Sequence, residues 1–170
     1  MDLLTALDRL TVALVALVRL VCIVLAAAIF VIVVVAVIAR YGFGQAVSWT
    51  EEVPRYLLIW VSFLGAAVCV LKREHVGFDV LLNAMPPRAR HFTSLAIGML
   101  IFGFGFILLR YGIVFVDDFG GDLMETIPYT NIWYYLAMPV SGFLTMVFAL
   151  KIVVDELTGR GPTGHAATVE

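Results

Sequence analysis

Apolar residues fall in four blocks, Leu20–Ala39, Val53–Leu71, Phe92–Leu109 and Ile132–Leu150, with charged or Pro/Gly-rich stretches between them. Each block is close to the ~20 residues that carry a helix across ~30 Å of hydrocarbon. The pattern predicts an all-α integral membrane protein with four transmembrane helices, at about 17–40, 52–71, 92–115 and 131–153, in one domain over residues 1–158. Residues 159–170 read as a flexible polar tail, and no length remains for a separate soluble domain.

The first block is the longest, with Arg19 as its only charge between Leu10 and Ala39. Ahead of it, Leu3, Leu4, Leu7 and Leu10 lie three or four apart. Met1–Arg9 is therefore either a short amphipathic segment on the membrane surface or the first turns of one long helix. The block is too long for a signal-peptide core and is expected to be retained. Arg40 and Tyr41 close it with interfacial chemistry before Gly42-Phe43-Gly44.

The second span opens with local start signals. Ser48 and Glu51 fit a capping box, with Thr50 as the other candidate cap. Glu51 and Glu52 suit the positive end of the helix dipole, and Lys72 and Arg73 the negative end. Glu51 and Glu52 lie four and three residues from Arg55, so both pairs share a helix face. Ser62, Gly65, Ala66 and Ala67 would permit close helix approach in mid-span. The connection to the third span is apolar at Val76, Phe78, Val80, Leu81, Leu82 and Met85. It reads as a short interfacial or re-entrant segment ended by Pro86-Pro87.

Ser94 and Gly98 make a small-xxx-small pair in the third span, which also holds Gly103 and Gly105. Arg110 sits well inside that span. It either snorkels to the nearer interface or pairs with a carboxylate from another helix or subunit. The loop that follows carries Asp117, Asp118, Asp122 and Glu125 with no lysine or arginine. The fourth span begins at the aromatic belt Trp133, Tyr134 and Tyr135. Ala137, Ser141, Thr145 and Ala149 then recur every four residues as a smooth packing face, and Pro139 is a candidate kink.

Composition sharpens this picture without changing it. The chain is 62% hydrophobic and 14% charged, against roughly 25% charge in soluble domains. No basic tail points to nucleic acid. Cys22 and Cys69 both fall in spans and read as small apolar residues, not as a disulfide or metal site. No phosphate loop, CxxC or HExxH is present, so no cofactor is expected. His75 with Glu74 and Asp79 is the only group resembling a polar site. Basic residues decide the orientation: Arg9, Lys72, Arg73, Arg88, Arg90, Lys151 and Arg160 fall on one side, which places both termini in the cytoplasm.

Particular residues carry a family likeness. They are Arg40-Tyr41-x-Phe43, Trp49-x-Glu51-Glu52, Trp60-x-x-Phe63-Leu64-Gly65-Ala66-Ala67, His75-x-x-x-Asp79, Ile127-Pro128, Trp133 and Pro139-x-x-Gly142. In this order, on a short four-span chain, they resemble the DctQ-like small membrane subunit of the tripartite ATP-independent periplasmic (TRAP) transporters. The resemblance implies an inner-membrane complex of a bacterium or archaeon. A large multi-span subunit there carries the transport path, and a periplasmic binding protein delivers an organic acid such as a dicarboxylate or sialic acid. A sodium gradient drives uptake, and the small subunit braces the large one among membrane lipids. On this reading Arg40, Trp49, Glu51, Glu52, Arg55, Trp60, Gly65, His75, Asp79, Arg110, Ser141 and Thr145 are candidates for subunit contact. Asp117, Asp118, Asp122 and Glu125 are candidates for contact with the binding protein.

Two other classes compete with this one. A homo-oligomeric channel calls for polar pore-lining stripes, which the spans lack. A membrane enzyme calls for an acid, base or metal cluster, for which only the His75 region offers a foothold.

Overall fold

The computed structural model describes residues 3–72 and 86–158. Its long helices are α1 (Leu3–Gly42), α2 (Trp49–Lys72), α3 (Pro87–Phe119) and α5 (Ala137–Leu157), with the single turn α4 (Ile132–Tyr135) leading into α5. Among the described residues four stretches are long and apolar enough to cross a membrane: Thr5–Gly42, Trp49–Leu71, Ala89–Phe119 and Ile132–Leu157. The chain is a multi-span membrane protein.

The N-terminal segment belongs to α1, an unbroken helix of 40 residues. Its length of about 60 Å exceeds the hydrocarbon core, so α1 tilts or projects beyond it. Gly44 ends the helix in the left-handed region at φ 66°, while the N–H groups of Phe43 and Gln45 both reach Ala39 O. At the start of α2 the Thr50 hydroxyl donates backward to Val47 O at 2.6 Å and does not cap forward. The fourth span is interrupted where Pro139 has no N–H to give Tyr135 O. Flanking bonds from Leu136 N to Ile132 O and from Val140 N to Leu136 O carry the chain across the gap.

The helices do not close into a four-cornered bundle. They form a row in the order α1, α2, α5, α3, with α1 also touching α5. One core, made of Val18, Leu64, Ala67, Leu144 and Phe148, joins α1, α2 and α5.

The α3–α5 contact is built differently, from glycines spaced by seven. A Cβ at Gly98 would lie 2.8 Å from Val153 Cγ2, one at Gly105 would lie 2.9 Å from Met146 Cγ, and one at Gly112 would lie 2.9 Å from Pro139 N. Positions 98, 105 and 112 thus oppose 153, 146 and 139, an antiparallel seam with one contact per heptad. Gly142 closes the same seam from α5, since its Cβ would stand 2.6 Å from Leu109 N.

The segment 73–85 and the tail 159–170 lie outside the described residues, as do the expectations placed on them, including those for His75 and Asp79.

Candidate functional site

The 120–131 turn lies at the end of the row where α2 begins, and Glu52 organises that end. It is only 2% exposed. Its carboxylate accepts Glu125 N–H at 2.9 Å and Thr126 N–H at 2.8 Å. The hydroxyls of Thr126 and Tyr56 donate to it as well. Four donors surround one anion, which satisfies a charge that would otherwise be costly to bury.

The loop so held has its own frame. Leu123 and Thr130 form an isolated antiparallel bridge. Met124 N–H donates to Tyr129 O at 2.8 Å, Asn131 N–H to Asp122 O at 2.8 Å and Ile132 N–H to Gly120 O at 3.0 Å. Beneath it Tyr56 stacks on Tyr134, ring centroids 4.2 Å apart and planes 3° from parallel. Trp60 Nε1 donates to Trp133 O at 2.9 Å. Three residues of α2, each four further along one face, therefore fix the route from the loop into the fourth span. Asp117, Asp118, Asp122 and Glu125 are all exposed around this frame.

The expected pairing of Arg55 with the two glutamates is replaced by another arrangement. Glu51 forms an ion pair with Arg40 across the first turn, and Arg55 Nε reaches only the Glu51 backbone carbonyl at 3.3 Å. Adjacent residues on a helix point about 100° apart, so Glu52 turns to the loop while Glu51 turns to α1. The Arg40 and Glu51 side chains are 53% and 59% exposed, and such a pair contributes well under about 1 kcal/mol in water.

The other candidates separate by location. Trp49 is exposed, and among the described residues no side chain and no neighbouring helix comes within 4 Å of where a Cβ of Gly65 would stand. Ser141 is 1% and Thr145 5% exposed. The smooth face proposed for contact with another subunit is therefore covered by the chain's own helices. Arg110 is exposed on α3 beside Phe106, Ile107, Tyr111 and Val114.

The opposite end of the row holds a second polar cluster. Lys151 Nζ lies 2.5 Å from Asp8 Oδ1 and 2.9 Å from Asp155 Oδ2, tying α1 to α5. Glu156 accepts the Ser94 hydroxyl at 3.0 Å and lies 3.0 Å from His91 Nδ1, tying α5 to α3. Sequence spacing offers a signal only for Lys151 and Asp155, which stand four apart. Among the described residues no group of three His, Cys, Asp or Glu could hold a metal ion. The polar groups at both ends fasten elements together.

The family model of the "Tripartite ATP-independent periplasmic transporters, DctQ component" matches residues 29–159. The chain belongs to this family. The DctQ match takes in the Glu52 cluster, the acidic loop and the whole α3–α5 seam. Among curated proteins, the chain is 33% identical over 124 residues to the sialic acid TRAP transporter permease protein SiaT of Haemophilus influenzae (strain 86-028NP). That alignment covers 72% of this chain and 20% of the relative. Identity is 48% over 50 residues, 29% of this chain and 31% of the relative, to a putative TRAP transporter small permease protein of H. influenzae Rd. It is 24% over 125 residues, 72% of this chain and 65% of the relative, to the ectoine TRAP transporter small permease protein TeaB of Halomonas elongata. The chain thus spans between a fifth and just under two thirds of these relatives. A DctQ component is an accessory part of a transporter, not an enzyme.

Proposed function

We propose that this DctQ component braces a large multi-span subunit in a bacterial or archaeal inner membrane, within a sodium-coupled, binding-protein-dependent transporter for organic acids. The observation that carries the bracing role is where the carboxylates lie. Among the described residues every Asp and Glu is in a loop or in the first or last two turns of a long helix. A sodium or proton route through this chain needs such groups at mid-membrane. The transport path then belongs to the partner, and this chain supplies a row of helices fastened at both ends. The relatives named for sialic acid and ectoine differ in substrate, as expected if substrate choice resides in other subunits.

Affinity purification of the tagged chain from its native membrane in mild detergent, with mass spectrometry, tests the reading. A much larger multi-span protein at about one-to-one ratio is the expected companion. Recovery of the chain alone as a defined homo-oligomer would overturn it.

By the excess of Lys and Arg on the other side, the Glu52 end faces the periplasm, with both termini in the cytoplasm. The last turn of α3 would then present Asp117 and Asp118, and the hydrogen-bonded 120–131 loop Asp122 and Glu125, to the binding protein. Neutralising all four should slow docking about tenfold at low salt, with the difference shrinking as salt rises. Association rates unchanged at low salt would remove the loop from the docking surface.

A further inference from the structure

α3 carries a second seam on the side away from α5. Ala96, Gly103, Arg110 and Asp117 recur every seven residues. Gly103 and Gly105 are two residues and hence about 200° apart around the axis, so this line lies nearly opposite the glycines that meet α5. It is uncovered. Ala96, Arg110 and Asp117 are exposed, and among the described residues no side chain and no neighbouring helix comes within 4 Å of where a Cβ of Gly103 would stand. Around Arg110 the surface of this seam dips between the side chains of Phe106, Ile107, Tyr111 and Val114.

Two features of this seam call for a protein neighbour. Arg110 stands seven residues, about 10 Å, below Asp117 and inside the apolar span Ala89–Phe119. It has no hydrogen bond or ion pair with any described residue. A cation at that depth is met by a facing anion or carbonyl, or by reaching the interface. Snorkelling to lipid phosphate would meet the charge, but lipid gives no reason for an open glycine one heptad away. A helix does, because Gly103 lets another backbone come close, as Gly105 lets α5 come close on the other side.

We infer that this seam receives a transmembrane helix of the large subunit, crossing near Gly103 and setting an Asp or Glu carboxylate against Arg110. The inference rests on the bracing role proposed above. It assigns the contact to the outer edge of the row, which no other described helix covers.

The test uses the assembled complex in native membranes, with a photo-crosslinking residue at Ile107 or Val114. Both side chains are accessible, at 54% and 37% exposure. Crosslinks to a carboxylate-bearing helix of the large subunit are expected. Crosslinks only to lipid, or to a second copy of this chain, would overturn the inference. In parallel, Arg110→Glu should cut recovery of the large subunit about tenfold or more, Arg110→Lys should retain it, and Asp/Glu→Arg in the crosslinked helix should restore it to Arg110→Glu. Gly103→Leu should lower recovery of the large subunit while leaving this chain as heat-stable as before. Unchanged recovery with both Arg110→Glu and Gly103→Leu would also overturn the inference. If the large protein still purifies with the chain but never crosslinks from α3, only the placement fails. If no large protein accompanies the wild-type chain, the bracing role fails with it.

Discussion

Gly142→Leu is expected to lower the thermal unfolding midpoint of the detergent-purified chain by on the order of 10 °C. The reason is what surrounds the missing side chain. A Cβ there would meet Leu109 N at 2.6 Å, and Gly105 O and Leu108 C at 3.0 Å. All three are backbone atoms of α3, so no side chain can rotate aside. The helices must separate, and separation costs contacts along the whole seam of Gly98, Gly105 and Gly112. Even Gly142→Ala should cost about 1–3 kcal/mol by overpacking.

Gly65→Ala is the matching control, since no described side chain or neighbouring helix comes within 4 Å of its added methyl. It should leave the midpoint unchanged or raise it slightly, because alanine is the better helix former by about 1 kcal/mol in an exposed interior position. Fluorescence-detected thermal unfolding of the three variants reads this directly. A Gly142→Leu protein as stable as the parent would mean that α3 and α5 do not cross there.

The row of helices was partly legible in the chain. Length and apolarity place four spans, because crossing hydrocarbon demands both whatever the partners. They do not say which face meets which neighbour. In lipid, a buried face and an exposed face are both apolar. Ser141 and Thr145 stand out in sequence as a smooth face, yet nothing local says that the chain itself covers it. The seven-residue spacing of Gly98, Gly105 and Gly112 was visible, and period seven was the usable signal; a search for small-xxx-small pairs stops at Ser94 and Gly98. Other contacts left no local trace. Glu52 meets Thr126 across 74 residues and Lys151 meets Asp8 across 143. Glu51 and Glu52 are the same residue type side by side, and only the folded positions of α1 and the loop give them different partners.

Replacing Glu52 should release the 120–131 loop while leaving the spans folded. Glu52→Gln keeps the size of the side chain but offers one carbonyl oxygen where the carboxylate offered two. The structure asks this group to accept from Glu125 N–H, Thr126 N–H and the hydroxyls of Thr126 and Tyr56. The new NH₂ would face donors, so at least one backbone N–H loses its acceptor. Amide exchange at Glu125 and Thr126 should accelerate about tenfold or more, measured by hydrogen–deuterium exchange in detergent. Glu52→Ala should go further and open the loop to protease. The Leu123–Thr130 bridge lies within the loop's own frame, so its amides should change less. Exchange within α5 should barely change, since the glycine seam and the Leu144–Phe148 core do not depend on the loop. Equal protection of Glu125 and Thr126 in Glu52→Gln and parent would mean that the loop is held by its own turns and that Glu52 is not its anchor.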